Sequence, residues 1–332
     1  MHYRTLGKSN LQVSALCLGT MMFGDQTGQD EAAAIVADAR AQGVNYIDTA
    51  DVYTKGASET MLGSLLKGQR RDWVLATKLG NKMSDRVNEG HYSRSWMLRA
   101  LDNSLQRLQT DHVDILYMHR DVNGMDLEEP LRAIDAMLRA GKIRYWGVSN
   151  FRGWRIAEIM RIAGQLGMPG PTVCQPYYNL LNRMPEVEIL PACDHYGIGV
   201  TSYSPVARGV LTGKYAPGQA PAEGTRAARG DKRMSETEFR EESLVIAQTL
   251  KAHAEAKGIT LAQFAPARVL AHRAVRSVIA GPRTLQQWQD YLPALDYTVA
   301  PDDEALVDSL VRPGHPSTPG FTDPAYPLNS RV

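Results

Sequence analysis

NYIDTADVY, residues 45–53, opens like a buried strand and turns polar at its end, placing Asp48 at the close of the apolar run and Tyr53 five residues on. A carboxylate and a phenol at the mouth of a core strand suggest that this strand end faces a site. The same character recurs along the chain. VSALCLG (13–19), VNYIDTA (44–50), WVLATK (73–78), VDILYMH (113–119), IRYWGVSN (143–150), TVCQPYYN (172–179), IGVTSYSP (198–205) and SVIAG (277–281) are short, branched or aromatic runs that stop at polar or glycine residues. Runs of that kind read as parallel strands buried on both faces.

Helical patterns lie between them. Met97, Leu101, Ser104, Leu105 and Leu108 follow the spacing of one mostly apolar helix face, and Leu127, Leu131, Ile134 and Leu138 form another. Asp126 with Glu129 reads as a capping box at the start of the second helix, and Gly141 as its C-cap. Eight strands alternating with helices predict right-handed crossovers and closure into an α/β fold of the (β/α)8 TIM-barrel type. Three segments fall outside that count. Residues 1–12 suit a short hairpin closing the bottom of the barrel, residues 215–235 read as a mobile loop rich in Ala, Gly, Pro and Arg, and the tail from Arg312 is proline-punctuated and irregular. With neither a domain linker nor an internal repeat, residues 1–332 read as one domain.

Bulk properties narrow the function. The hydrophobic share of 43% is ample for a core, and a net charge of +1 favours neither nucleic acid nor a membrane surface. The polar start MHYRTLGKSN shows no signal peptide, and no apolar run approaches the roughly 18 residues of a membrane span. Cys17, Cys174 and Cys193 are odd in number and far apart, which suits reduced, packed thiols in a cytoplasmic protein.

In a barrel of this kind, residues at the carboxyl ends of different strands converge on one face. Asp48 ends the second strand with Tyr53 in the loop beyond it, Lys78 ends the third and His119 the fourth. A free phenol has a pKa of about 10, too high for an efficient proton donor near neutrality, and a nearby ammonium lowers it. A carboxylate can hold that ammonium, and a histidine can orient a polar substrate oxygen. Singly, each has a plainer reading: a turn-capping Asp, a surface Lys, a packing Tyr, a structural His. Their shared place on successive strand ends favours proton delivery to an oxygen that becomes negative as a carbonyl receives hydride.

The sequence resembles the aldo-keto reductases, from LGKSNLQVSALCLGTMMFG to IAGPRTLQQWQDYL. The resemblance implies a (β/α)8 barrel reducing aldehydes and ketones with a nicotinamide cofactor, usually NADPH, with NADH as the alternative. It makes Tyr53 the proton donor, tuned by Lys78 and Asp48, with His119 orienting the carbonyl. By the same resemblance Ser149 and Asn150 in GVSNF, with Gln175, bind the carboxamide, and Asp48 also borders the cofactor. Tyr203 in SYSP stacks on nicotinamide, followed by Ser204 and Pro205. RGVLTGKY (208–215) becomes a strap over the pyrophosphate, with Arg208, Gly209, Leu211, Gly213 and Lys214 as contacts. GPRTLQQWQDYL (281–292), opening the last helix, brings Ala280 and Gly281 to the cofactor and Arg283 to a 2′-phosphate, which favours NADP over NAD. Gln287 and Asp290 match adenosine-side positions, Asp290 standing where Glu is usual and Tyr291 where Asn commonly contacts adenine. Gly19, Thr20 and Met21 match the first strand's cofactor contacts, and Phe23 is expected to line the substrate pocket.

Rival readings fare less well. GIGVTS (197–202) lacks the third glycine of a Rossmann fingerprint, and GVSNF has Phe151 where a nucleophile elbow needs glycine. No His or Cys spacing suggests a metal. Potassium-channel β-subunits share the barrel and cofactor site but act mainly as regulatory partners. Such a subunit is expected to carry an added N-terminal segment, whereas this chain begins directly at the barrel. The expected partner is a small carbonyl or alcohol substrate, held by loops near 81–92 and 120–126 and by the tail.

Overall fold

A computed structural model describes residues 1–326. Strands β1 (Tyr3–Thr5) and β2 (Gln12–Ser14) form an antiparallel hairpin. Strands β3 (Leu16–Gly19), β4 (Tyr46–Asp48), β5 (Val74–Leu79), β6 (Val113–Met118), β7 (Ile143–Ser149), β8 (Val173–Gln175), β9 (Gly199–Ser202) and β10 (Val275–Ala280) close into a barrel. Every neighbouring pair in it is parallel, β10 meeting β3 at the seam. All eight strands expected from the apolar runs are therefore present. The helices are α1 (Gln29–Ala41), α2 (Ala57–Leu65), α3 (Arg94–Leu108), α4 (Glu128–Arg139), α5 (Gly153–Gln165) and α6 (Ile189–Tyr196). They continue as α7 (Lys232–Thr237), α8 (Glu241–Ala256), α9 (Leu261–Ala271), α10 (Leu285–Gln289) and α11 (Pro301–Leu310). The chain is thus a (β/α)8 TIM barrel with an N-terminal hairpin.

Two layers of apolar side chains hold it. The interior is filled by Cys17, Tyr46, Ala76, Ile115, Tyr117 and Val173, with Leu6 and Val13 of the hairpin packed into the same cluster. Tyr46 and Tyr117 share a hydrogen bond at 2.7 Å, so their fully buried hydroxyls satisfy each other. Outside the strands, α3 buries Met97, Leu101, Ser104, Leu105 and Leu108, the face that the periodicity predicts, and Ser93 caps it by accepting the Trp96 N–H. Gly80 follows β5 at φ +119, and a Cβ there would lie 2.2 Å from the Tyr92 hydroxyl; only glycine lets that ring pack against the strand end.

Several boundaries differ from the sequence reading. VSALCLG splits at Ala15 between hairpin and barrel. The continuous ladder of the run 172–179 ends at Gln175, because Pro176 has no N–H for it, and beyond it a lone bridge joins Tyr177 to Tyr203. The capping box at Asp126 and Glu129 does not form: Leu127 is the N-cap, Asp126 accepts from Glu128 N–H, and Glu129 instead accepts the Arg94 N–H of α3 at 2.8 Å. Gly141 does end the helix, in the left-handed region at φ +68. The segment 215–235 is irregular only to Asp231, whose carboxylate caps α7 by accepting the Met234 N–H at 2.8 Å. Segment 281–292 opens α10, not the last helix, since α11 follows. The tail is irregular to Tyr326, and its final residues, 327–332, lie outside the described residues.

Candidate active site

Strand register brings the predicted side chains level. Asp48 faces Gly19 on one side and Ala76 on the other, Lys78 faces Tyr117, and Ser149 faces Gln175. His119 follows β6, its backbone N–H donating to the Leu79 carbonyl at 2.9 Å. Lys78 is fully buried. Its ammonium donates to Asp48 Oδ1, to the Thr49 carbonyl at 2.8 Å and to the Tyr53 hydroxyl at 3.2 Å. The other Asp48 oxygen accepts from Gln175 Nε2 at 2.8 Å. The rings of Tyr53 and His119 meet edge to face, with centroids 5.9 Å apart.

The electrostatics correct one expectation. Burial raises the Tyr53 phenol above its ordinary value, and the Lys78 ammonium only partly offsets this, helped by Arg208 and opposed by Asp48. The phenol is therefore neutral at physiological pH, with the ammonium 3.2 Å from its oxygen. Burial pulls the Lys78 ammonium down, but attraction to Asp48 and Tyr53 outweighs it and leaves it raised. Burial likewise raises Asp48, against the pull of Lys78 and Gln175. His119 is driven well below the usual imidazole range, by burial first and then by Lys78 and Arg120. It is neutral, and its Nδ1 is buried without a hydrogen bond. Because the folded value lies below the unfolded one, stability from this residue is lost as pH falls, not as it rises. NMR of the imidazole nitrogens should show no titration of His119 from pH 6.5 to 8; a midpoint in that window would contradict a neutral ring.

These groups open on a cleft of about 560 Å³ that runs along the carboxyl ends of the strands. Asp48, Tyr53, His119, Ser149, Asn150, Gln175 and Tyr203 line one part. The Tyr203 hydroxyl donates to Asn150 Oδ1 at 2.7 Å, and Asn150 Nδ2 donates to the His119 carbonyl and to Ser149 Oγ, each at 3.0 Å. Lys214, Arg226, Arg229, Arg283, Gln287 and Tyr291 line another part.

A profile of the Aldo/keto reductase family matches residues 15–312. The chain belongs to this family. Among its curated relatives are the probable voltage-gated potassium channel β-subunits of Oryza sativa subsp. japonica and Arabidopsis thaliana, each 37% identical over 303 residues, covering 89% of this chain and 92% of theirs. The uncharacterized oxidoreductase YrpG of Bacillus subtilis (strain 168) is 34% identical over 337 residues, covering 98% of this chain and 99% of its own. Oxidoreduction is thus the supported chemistry.

In this aldo/keto reductase barrel the donor set suits a nicotinamide dinucleotide, the cofactor type the family generally binds. Amide and hydroxyl groups cluster beside Tyr53. Further along the cleft the backbone runs through three successive left-handed residues, Ala207, Arg208 and Gly209, at φ +47, +51 and +101. The Gly209 position has room, a Cβ there meeting nothing closer than Lys214 Nζ at 3.5 Å. Lys214 and Arg283 make no ion pair among the described residues; both are pulled down by burial and by mutual repulsion with Arg226 and Arg229. Gln26 Oε1 accepts from Arg229 at 2.9 Å and from Arg283 at 3.5 Å, a neutral oxygen between two guanidinium groups. An anionic oxygen would suit that place better.

The predicted site residues divide cleanly. Gly19, Thr20, Met21, Ser204, Pro205, Arg208, Gly209, Gly281, Arg283, Gln287 and Asp290 line the cleft with those named above. Phe23, Leu211 and Ala280 do not: all three are fully buried in the core. Gly213 is the left-handed C-cap of a turn, packed where a Cβ would meet the Lys251 side chain at 2.6 Å. Arg208 is already held by the buried Glu238 carboxylate at 3.0 Å, so less of its charge is free for a ligand. Sequence reasoning missed Gln26, Arg226, Arg229, Arg233 and Tyr326 as cleft residues. The recurring arginines of TRAARGDKR were the only signal for three of them. Away from the cleft, His253, Asp302 and Asp303 lie together, but the Lys257 ammonium reaches both carboxylates, so a protein cation already occupies that position.

Proposed function

We propose that this protein is an NADPH-dependent reductase of aldehyde and ketone carbonyls, working reversibly, within one barrel domain. The observation that carries this is the Lys78 ammonium bonded at once to Asp48 and to the Tyr53 hydroxyl, at the mouth of a cleft rich in amide donors. Tyr53 gives its proton to the substrate oxygen. Lys78 stabilises the phenolate left behind, and Asp48 keeps the lysine charged and in place. His119, neutral and edge-on to Tyr53, directs the carbonyl oxygen toward the phenol. The cofactor supplies hydride to the carbonyl carbon when bound. Ser149, Asn150 and Gln175 would hold its carboxamide, Tyr203 its ring, and residues 207–214 its diphosphate. Tyr326, from the tail, takes the place in the substrate wall that Phe23 was expected to fill.

Lys214, Arg229 and Arg283 support NADP over NAD, because a 2′-phosphate brings a dianion to three cations that make no ion pair among the described residues. Arg283→Ala and Arg229→Ala should each weaken NADPH binding by roughly 10- to 100-fold while leaving NADH within about twofold. Fluorescence titration with both cofactors measures this, and equal loss for the two would overturn the assignment.

A second reading rests on the relatives named as channel β-subunits: a cofactor-binding regulatory subunit with little turnover. Steady-state NADPH oxidation against a broad aldehyde and ketone panel separates the two. Turnover on any member supports the reductase; saturable cofactor binding without turnover supports the subunit. Among the described residues no helix is long and apolar enough to cross a membrane, and the free, buried thiols suit our proposal of a cytoplasmic protein.

A further inference from the structure

Behind the strand ends, separate from the cleft, lies a smaller cavity of about 170 Å³. Asp51, Met83, Glu89, Trp96, Arg99, Asn103 and Arg107 are among its lining. Asp51 is 1% exposed, and neither of its carboxylate oxygens makes a hydrogen bond of normal geometry. The indole N–H of Trp96 is also buried and unpartnered. Two orphaned polar groups on one cavity wall are costly unless something in the cavity satisfies them.

The surrounding charges say what that is. Arg107 is neutralised by the buried Glu59 at 2.7 Å, and Glu59 also accepts from Thr77. Arg99 lies 3.9 Å from Glu89, which Arg86 also approaches from the solvent side. Lys78, whose carbonyl accepts the Asp51 backbone N–H at 3.1 Å, is committed to Asp48. Tyr92, nearby, is held neutral by burial. Arg107 is thus taken by Glu59 and Arg99 shares Glu89 with Arg86, whereas the Asp51 carboxylate bonds to none of them. We propose that this cavity is a site for one partly hydrated monovalent cation, of the alkali-metal or ammonium class, bound against Asp51.

Charge, space and donors agree. One buried carboxylate without a partner suits a single positive charge placed directly against it. The cavity exceeds one ion by the volume of several waters, at about 30 Å³ each. A water on the ion accepts the Trp96 N–H that a bare cation could not, and the Asn103 side chain offers a further oxygen. Without the cation, burial and the neighbouring Glu59 raise Asp51 to about 8, against the opposing pull of Arg107, the Val52 N–H and Lys78, so a proton takes its place. Cation and proton therefore compete.

The sign follows. Asp51 binds a proton in the folded state from its unfolded value near 4 up to about 8, so its contribution to stability falls as pH rises through that window. A small cation offsets the loss only where the proton has gone. Melting is compared in potassium, sodium or ammonium chloride against choline chloride at equal ionic strength, choline being too bulky for the cavity. At pH 9 at least one small cation should raise Tm by about 2 °C at ten times its Kd, and the gain should vanish by pH 6. The three salts tell which ion the cavity prefers. Asp51→Asn should abolish the gain at every pH. Asn103→Leu, which removes that oxygen and narrows the cavity while keeping Asp51, should abolish it too and decides the matter if the first variant fails to fold. A gain that survives in either variant, or that does not change with pH, would mean surface screening and would overturn the site; so would no gain at all.

Discussion

Tyr53→Phe is expected to lower the turnover number for carbonyl reduction by about 10²- to 10⁴-fold while leaving the dissociation constant for NADPH within about twofold. The substitution removes only the hydroxyl. Lys78 keeps its bonds to Asp48 and to the Thr49 carbonyl, and the Asn150–Tyr203 contacts do not involve Tyr53. Steady-state rates paired with fluorescence titration give both numbers. The pH profile of the unmodified protein adds a check. Since burial raises the phenol, reduction should hold through neutral pH and decline only in the alkaline range, while oxidation of the alcohol should rise there. Wild-type turnover in the phenylalanine variant would take the phenol out of the chemistry.

Asp48→Asn should be the most damaging single change to stability. The amide retains shape and can still accept from Lys78, but a fully buried ammonium is left without its counter-charge. Removing one partner of such a pair costs about 3–5 kcal/mol, or roughly 5–10 °C in Tm for a chain of this size. Lys78→Met alone should cost less than Asp48→Asn, and the double variant less than the two losses added, because neither charge is stranded. Denaturant titration of the three proteins tests this; strictly additive losses would mean that the pair does not interact. The lysine is held above its usual range, so its contribution persists through neutral pH and is lost only as pH climbs past the raised value.

What could be read from the sequence follows from where each signal resides. Asp48, Lys78 and His119 sit at or just beyond the ends of consecutive strands, and a barrel leaves such positions one place to go. Their convergence needed only strand order. Phe23 and Leu211 failed for the opposite reason: each lies in a turn, where facing core or cleft is decided by packing that local pattern does not encode. Arg229 was illegible because its role depends on Gln26, 203 residues away. The direction of the Tyr53 shift also required burial. A nearby ammonium was foreseeable, but the desolvation that outweighs it was not. Asp126 and Glu129 formed a plausible cap by spacing, until α3 offered Glu129 the Arg94 N–H instead.

The tyrosine-filled barrel interior has a bearing on proton traffic. Tyr46, Tyr117 and Cys17 are wholly sealed from solvent, with the hairpin's Leu6 beneath them, so the floor under Lys78 is closed by packed side chains. A phenolate formed at position 53 must therefore be replenished from the open side, by the route that products take on leaving. Recharging the acid and emptying the site would then share one doorway.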